Sequence, residues 1–295
     1  MPPDFTSPRV TVRPSLPADT PDVLEFCKHI WGGHDYIPSV WHDWLADPNS
    51  RLFTAQYGAH AVGIGNLYRV ADGQWWFEGF RVDPAYQDRK IGSHLQSYIT
   101  AWWLEHGSGT LRLWTNARRV KVHHLSQRLG FLKTGERKAH IASPLWHTAD
   151  FTAVRAEEIP AALEHVRQAA SFQRSGGLLD MGWRLSLPAA TCLRDLLAWP
   201  DARLLWWRGR EGLLSTWEEA SPEGRFLWIG LAATSLEKLP ELLRDARALA
   251  AARYDSVTWN ILLDPYLADV LRQTGFQPDE ENWNYQFEQN HPIRP

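Results

Sequence analysis

The chain has 295 residues, of which 44% are hydrophobic and 22% charged, a composition that supports a packed core and either one large domain or two ordinary ones. Its formal net charge of −3 argues against broad binding to nucleic acid or to anionic membranes, which needs a basic surplus. Cys27 and Cys192 are the only cysteines and have no C-x-x-C partner, so neither a disulfide framework nor a metal site is expected, and a reducing, cytoplasmic setting is the simplest reading.

No segment approaches the roughly 18 apolar residues of a membrane span. The opening "MPPDFTSPRV" lacks the cationic-then-apolar order of a signal peptide. After this Pro-rich lead, "RVTVRP" alternates like a strand and "ADTPDVLEFCKHIW" reads as a helix. "GGHDYIPSVWHDWLADPNS" is a Gly-, Pro- and aromatic-bearing segment, partly helical. Three strands follow in "RLFTAQYGAHAVGIGNLYRVADGQWWFEGFRVDP", with turns at Gly58-Ala59 and Asp72-Gly73. In "IGSHLQSYITAWWLEHG", Ile91, Leu95, Tyr98, Ile99 and Trp102 form one helical face. "TLRLWTN" is a strand, "VKVHHLSQRLGF" a helix closing in Gly130-Phe131, and "GERKAHIA" starts a further strand. The second half repeats this order: a hairpin in "ARLLWWRGREGLLSTWEEA", a strand in "RFLWIGLAAT", a helix in "LEKLPELLRDARALAAARY", a strand in "SVTWNILL", a helix closing in Gly275-Phe276, and a last strand in "NWNYQFEQ". The seventeen tryptophans are expected mainly in the core. The pattern predicts an α/β chain of two similar domains, residues 1–148 and 149–295, joined near residues 145–155.

The stretch "RVDPAYQDRKIGSHLQSYITAWW" sets a short cationic loop between a strand and a helix. A helix N-terminus exposes unpaired N–H groups and partial positive charge, which makes it an anion site. A tight loop entering it turns further amides inward, and glycine lets a ligand approach the backbone. Residues Gln87 to Ser93 have these features, and Arg89 and Lys90 add charge.

"FRVDPAYQDRKIGSHL" resembles the pyrophosphate loop of the GNAT acetyltransferases, whose pattern is Q/R-x-x-G-x-G/A. Gln87 and Gly92 match, while Lys90 stands where a glycine is usual. The resemblance runs over about residues 9–142. "GGHDYIPSVWHDWLADP" and "FEGFRVDP" are in turn similar to the histidine N-acetyltransferase branch of that family. The resemblance implies two GNAT-like domains, each a mixed sheet flanked by helices, and an acetyl-CoA-dependent N-acetyltransferase acting on a free amino acid or another small amine. It implies that Gln87, Asp88, Arg89, Lys90, Ile91, Gly92 and Ser93 hold the pyrophosphate, and that the strand at Phe80, Arg81 and Val82 hydrogen-bonds the pantetheine arm and offers an oxyanion donor.

Glu78 is the candidate base. Strand alternation puts it on one face with Trp76, Phe80 and Val82, and aromatic surroundings should raise its pKa toward neutrality. A solvated or ion-paired glutamate is the plain alternative. Many family members place a tyrosine acid where this chain has Ser126, a poor acid, so His123 or His124 is the substitute unless the thiolate leaves unaided. Asn116 is expected either near the cofactor or as a helix cap. Asp35 is expected to pair with a substrate cation and Tyr36 to stack on a ring, the alternative being a turn aspartate and a core tyrosine. The second half has no glycine-rich loop and carries Glu237 and Glu241 where phosphate would bind, so it is expected to be a degenerate copy that closes one side of the amine site. A non-catalytic GNAT-fold sensor and a protein N-acetyltransferase are the competing readings, and the partners expected are a small amine and, in a homodimer, a second copy; a monomer fits equally.

Overall fold

The computed structural model describes residues 10–221 and 224–291. The readings made on residues 1–9, the Pro-rich lead and Arg9 of the first strand, lie outside the described residues. Two compact units are present: Met1–Leu113 with Lys121–Leu132 and Glu288–Pro295, and Trp114–Val120 with Lys133–Phe287.

In the first unit, β1 (Val10–Pro14) leads into α1 (Thr20–Cys27) and α2 (Ile37–Ala46), both with a proline in the first turn, where no N–H partner is lost. A meander follows: β2 (Ser50–Tyr57), β3 (His60–Ala71) and β4 (Gln74–Val82), turning at the two predicted dipeptides, where Gly58 and Gly73 have φ of +65° and +66°. Then come α3 (Ile91–His106), β5 (Thr110–Asn116) and α4 (Val120–Arg128). The strand order is β1-β2-β3-β4-β5, antiparallel up to β4, with β5 parallel to β4. Helices α1 and α2 bury Val23, Phe26, Ile37, Trp41 and Trp44 with Leu52 and Ile64 on one face. On the other face, Trp102 of α3 meets Phe53 and Trp75 edge-on.

The buried spine of α3 is Ile91, Leu95, Ile99 and Trp103, each burial contributing about 1.5–3 kcal/mol. This corrects the expected face: Tyr98 is exposed, and the spine runs at i+4 steps rather than through Tyr98 and Trp102.

The register of β4 is the feature that matters for function. Asn66 pairs with Glu78 and Ile64 with Arg81, so Gly79 and Phe80 together face the single residue Gly65. This β-bulge carries Gly79 at φ +64°, and a Cβ there would lie 2.5 Å from the Trp44 ring. The expected alternation is corrected accordingly. Trp76, Glu78 and Arg81 share the α1/α2 face, whereas Phe80 and Val82 turn to α3, where both lie close to Gly92.

The second unit begins with β6 (Leu132–Ala142) and β7 (Phe151–Ala153). The stretch that carried no element in the sequence folds as α5 (Ile159–Gln168), α6 (Ala170–Arg174), the two-residue strands β8 (Leu179–Asp180) and β9 (Leu185–Ser186), and α7 (Ala190–Ala198). Then follow β10 (Ala202–Trp207), β11 (Gly212–Ser221), β12 (Gly224–Ala233), α8 (Leu239–Leu249), β13 (Ser256–Leu262), α9 (Pro265–Gln273) and β14 (Gln277–Asn290). The strand order is β14-β6-β13-β12-β11-β10-β7, with β12 and β13 parallel. Helices α8 and α9 close a large apolar core. The opposite face holds a tryptophan cluster in which Trp217 and Trp228 stack at 5.2 Å and Trp183 meets Trp228 at 4.5 Å.

The internal repeat shows in matching details. Each of α4 and α9 ends in a left-handed glycine, Gly130 at φ +93° and Gly275 at +84°. Each glycine precedes a buried phenylalanine whose N–H donates five residues back, Phe131 to Ser126 and Phe276 to Leu271. Element order does not reveal where the last strands lie: β6, which follows α4, belongs to the second unit but for Leu132, as does β14 up to Phe287, and only the end of β14 from Glu288 belongs to the first. There Arg112 Nε donates to Glu288 Oε1 at 2.7 Å and the His291 amide to Gly109 O at 2.7 Å.

Two stability outcomes follow from these packings. Gly79→Ala should lower stability by about 2–4 kcal/mol in urea unfolding, because a left-handed backbone and the Trp44 contact both oppose a Cβ. In the second unit, burial pushes the Asp180 carboxyl up to about 7 against the pull of Arg137. The native state therefore keeps a proton that the unfolded chain releases near its usual range, and stability should fall as pH rises through that window toward 7. Asp180→Asn should flatten the slope of melting temperature between pH 5 and pH 8, and an unchanged slope would contradict this account.

Candidate active site

Four features of the first unit converge at the C-terminal end of β4. The first is an open strand edge. β4 pairs with β5 from Gln74–Thr110 to Trp76–Arg112, so among the described residues Phe77 to Val82 have no strand partner on that side. The bulge at Gly79-Phe80 lies within this stretch. The second is the α3 N-terminus. The first backbone bond entering the helix is His94 N–H to Lys90 O at 3.0 Å, which leaves the amides of Ile91, Gly92 and Ser93 without a backbone acceptor among the described residues. Asp88 and Lys90 both have φ of +61°, the left-handed region that glycine favours. Lys90 thus takes the conformation expected of the family glycine, at a cost of about 1–2 kcal/mol. The side chains of Gln87 to Lys90 point to solvent. Arg89 lies over Tyr57 and Tyr86 at 5.6 and 5.3 Å, and Asp88 pairs with Lys121 at 3.3 Å.

The third feature is the acid face of β4. Asn66 is fully buried, and its Nδ2 donates to Ser50 Oγ at 3.2 Å and to Glu78 Oε1 at 3.1 Å, which holds the half-buried Glu78 carboxylate in place. Asn66 Oδ1 is buried without a partner. The fourth is a caged cation. Arg81 Nε and NH2 donate to Asp35 Oδ2 and Oδ1 at 2.8 and 3.0 Å, and the Asp35 side chain is fully enclosed. The guanidinium lies 4.2 Å from the Trp31 ring centre and 5.2 Å from that of Tyr36. Burial, and next the Asp35 charge, push the neighbouring Cys27 thiol up to about 12, so it stays protonated.

The sequence-predicted residues fall into two groups. Glu78, Arg81, Asp35 and Tyr36 lie on or against the α1/α2 face of β4, while Phe80, Val82, Ile91, Gly92 and Ser93 lie on the α3 side. Asp35 is committed to Arg81 rather than open to a substrate cation, and the exposed Tyr36 packs edge-on against Trp44 at 6.2 Å. Ser126 is fully buried, and its hydroxyl accepts from Gln96 Nε2 at 3.0 Å, tying α4 to α3. His123 is buried and His124 exposed on α4. Asn116 belongs to the second unit, where its Oδ1 accepts from the Arg118 amide at 3.0 Å and its Nδ2 donates to Glu281 O at 2.7 Å. Sequence reasoning missed Trp31 and Asn66. The signal for Asn66 was a lone amide in the apolar run "VGIGNLYRV"; for Trp31 it was an aromatic directly before Gly32-Gly33.

Comparison with known proteins agrees with this geometry. Residues 20–131 match the model of the Acetyltransferase (GNAT) family. The chain is 29% identical over 80 residues to Probable N-acetyltransferase 16 of Homo sapiens, covering 27% of this chain and 22% of that protein. It is 27% identical over 78 residues to Histidine N-acetyltransferase of Xenopus tropicalis, covering 26% and 24%. The matched stretches thus span under a quarter of those relatives' length. A tandem GNAT protein from the clavulanic acid biosynthesis pathway shares the fold, with a TM-score of 0.61 at 12% identity over 97% of this chain and 100% of that one. Residues 20–131, which include the open β4 edge and the amide-lined start of α3, are thus similar to the acetyltransferase (GNAT) family.

Proposed function

We propose that the chain transfers the acetyl group of acetyl-CoA to the primary amine of a small molecule, with catalysis in the first half. The observation that carries this reading is the unpaired edge of β4 beside an α3 N-terminus whose amides have no backbone acceptor. These are the groups that fit a long polar arm ending in a diphosphate, and the solvent-facing side chains of Gln87 to Lys90 leave the approach clear. Acetyl-CoA supplies an activated thioester. The amides of Gln87 to Ser93 hold its pyrophosphate, with Arg89 and Lys90 adding charge. The edge from Phe80 to Val82 bonds the pantetheine arm and directs an N–H at the developing oxyanion.

Glu78 takes the proton from the acceptor amine, directly or through a water, and Asn66 keeps its carboxylate oriented. Ser126 is fully buried and its hydroxyl is a poor acid, which favours His123, or solvent, as the source of the thiolate's proton. Histidine and related amino acids are the first acceptors to test, since one relative bears that activity in its name.

The second half is a degenerate copy in this reading. β12 keeps a bulge at Gly230, but the chain itself fills the strand: Ser171 Oγ donates to Ala232 O and accepts from the Thr234 amide, both at 2.8 Å, and Asp180 O lies 2.4 Å from where a Gly230 Cβ would sit. At the start of α8, Glu241 pairs with Arg208 and Lys238 with Glu211.

Saturating acetyl-CoA should raise the melting temperature by several degrees, as about 2.7 kcal/mol of stabilisation at a hundredfold excess over Kd requires. Glu78→Gln should cut turnover by about 10²–10⁴-fold and leave that shift intact. An absent shift would remove the enzymatic reading, and a shift lost in the variant while turnover persists would remove the role of Glu78.

A further inference from the structure

The cation at Arg81 is only partly used. A guanidinium carries five N–H donors in a planar fork. Its Nε and one NH2 hydrogen go to Asp35, and NH1 donates to Phe80 O at 3.0 Å. Two N–H bonds remain, one on each terminal nitrogen, on the edge away from the chain. Among the described residues no hydrogen bond fills that edge, although Arg81 is only 8% exposed. Trp31 and Tyr36, which flank the guanidinium, are themselves 48% and 42% exposed, so the buried cation lies beneath rings that solvent reaches. The Asp35 pair fixes the fork's orientation, and the rings hold its plane.

From this arrangement we infer that the free edge of Arg81 receives the carboxylate of the acceptor, so that the substrate is an α-amino acid rather than a simple amine, a polyamine or a peptide N-terminus. The inference rests on the acetyltransferase reading above. Two parallel N–H groups match a carboxylate in bidentate fashion, which an amide or an ammonium cannot reproduce. Glu78 lies on the same face. Its partner Asn66 and Arg81's partner Ile64 are two residues apart on β3, a separation of about 7 Å between backbones. The face therefore presents an anion and a cation at the scale of a zwitterion, the ammonium directed to Glu78 and the carboxylate to Arg81. Besides Glu78, Asp35 and Arg81, the charged groups meeting this face among the described residues include Arg112, paired with Glu288 beside Trp76, and Asp19, paired with Arg13 at Thr54; both of these are already matched. A polyamine would set a second ammonium against Arg81, and a peptide would leave the fork half filled.

Release of coenzyme A thiol is to be followed with pairs differing only at the carboxylate: L-histidine with histamine and its methyl ester, and L-phenylalanine with phenethylamine and its methyl ester. The expected result is a preference for the free acid of about a hundredfold or more in kcat/KM, carried mainly by KM, because the poorer acceptor leaves a buried donor pair unmet. Arg81→Lys, which keeps the charge and loses the fork, should shrink that preference to about threefold or less, with acetyl-CoA still raising the melting temperature. Should this variant fail to fold, the wild-type pairs decide the matter alone. Equal turnover of acid, ester and amine by the wild type would overturn the inference and leave the acetyltransferase reading standing. No turnover of any amine, together with no melting shift, would remove both.

Discussion

Gly79 and Phe80 together oppose the single residue Gly65, and this surplus residue, in the part of β4 beyond its pairing with β5, reverses which side chains meet which face. An unbroken strand would set Glu78 beside Phe80 rather than on the face of Arg81. Only glycine suits the first bulge position, because the backbone is left-handed and the Trp44 ring occupies the space of a Cβ. The packing of α2 on the sheet and the shared face of Glu78 and Arg81 are thus one constraint, applied at one residue.

The two halves show how a shared scaffold diverges. Both keep a parallel strand pair, a bulged strand before it and a helix closed by a left-handed glycine and a buried phenylalanine. They differ in what meets the bulged strand. In the first unit the main chain beyond Trp76 lacks a strand neighbour; in the second, Ser171 bonds Ala232 and Thr234 and the Asp180 carbonyl presses on Gly230. A buried main-chain group must be paired by something, so a chain that supplies its own partner removes the need for a ligand. The second unit also encloses Arg137 and Asp180, with burial pushing the arginine down to about 10.

Side chains around Arg81 form a layered support. Asp35 lies beneath it, Trp31 and Tyr36 flank it, and the Cys27 thiol stays neutral beside the pair. Separating the buried ions would be expensive, so the guanidinium has one strongly preferred position. Glu78 is held by a different route, through Asn66 to Ser50. Two charges of opposite sign are therefore fixed independently on one face.

Much of this was legible from residue patterns. The turns at Gly58-Ala59 and Asp72-Gly73, the helix from Ile91, the Gln87-to-Gly92 loop and the repeat of Gly-Phe after a helix all follow from local chemistry, because turn residues, helix periodicity and backbone freedom act over a few neighbours. The face of Glu78 and Arg81, the pairing of Asp35 with Arg81 across 46 positions, the support from Asn66, the burial of Ser126 against Gln96 and the division of β14 at Phe287 did not. Each depends on register or on contacts between residues far apart in the chain, and one inserted residue in β4 is enough to invert a pattern of period two. Residue order determined which elements form and where the cationic loop enters α3; packing alone decided which side chains share the face of Glu78 and Arg81, since that is a property of strand pairing and not of any single segment.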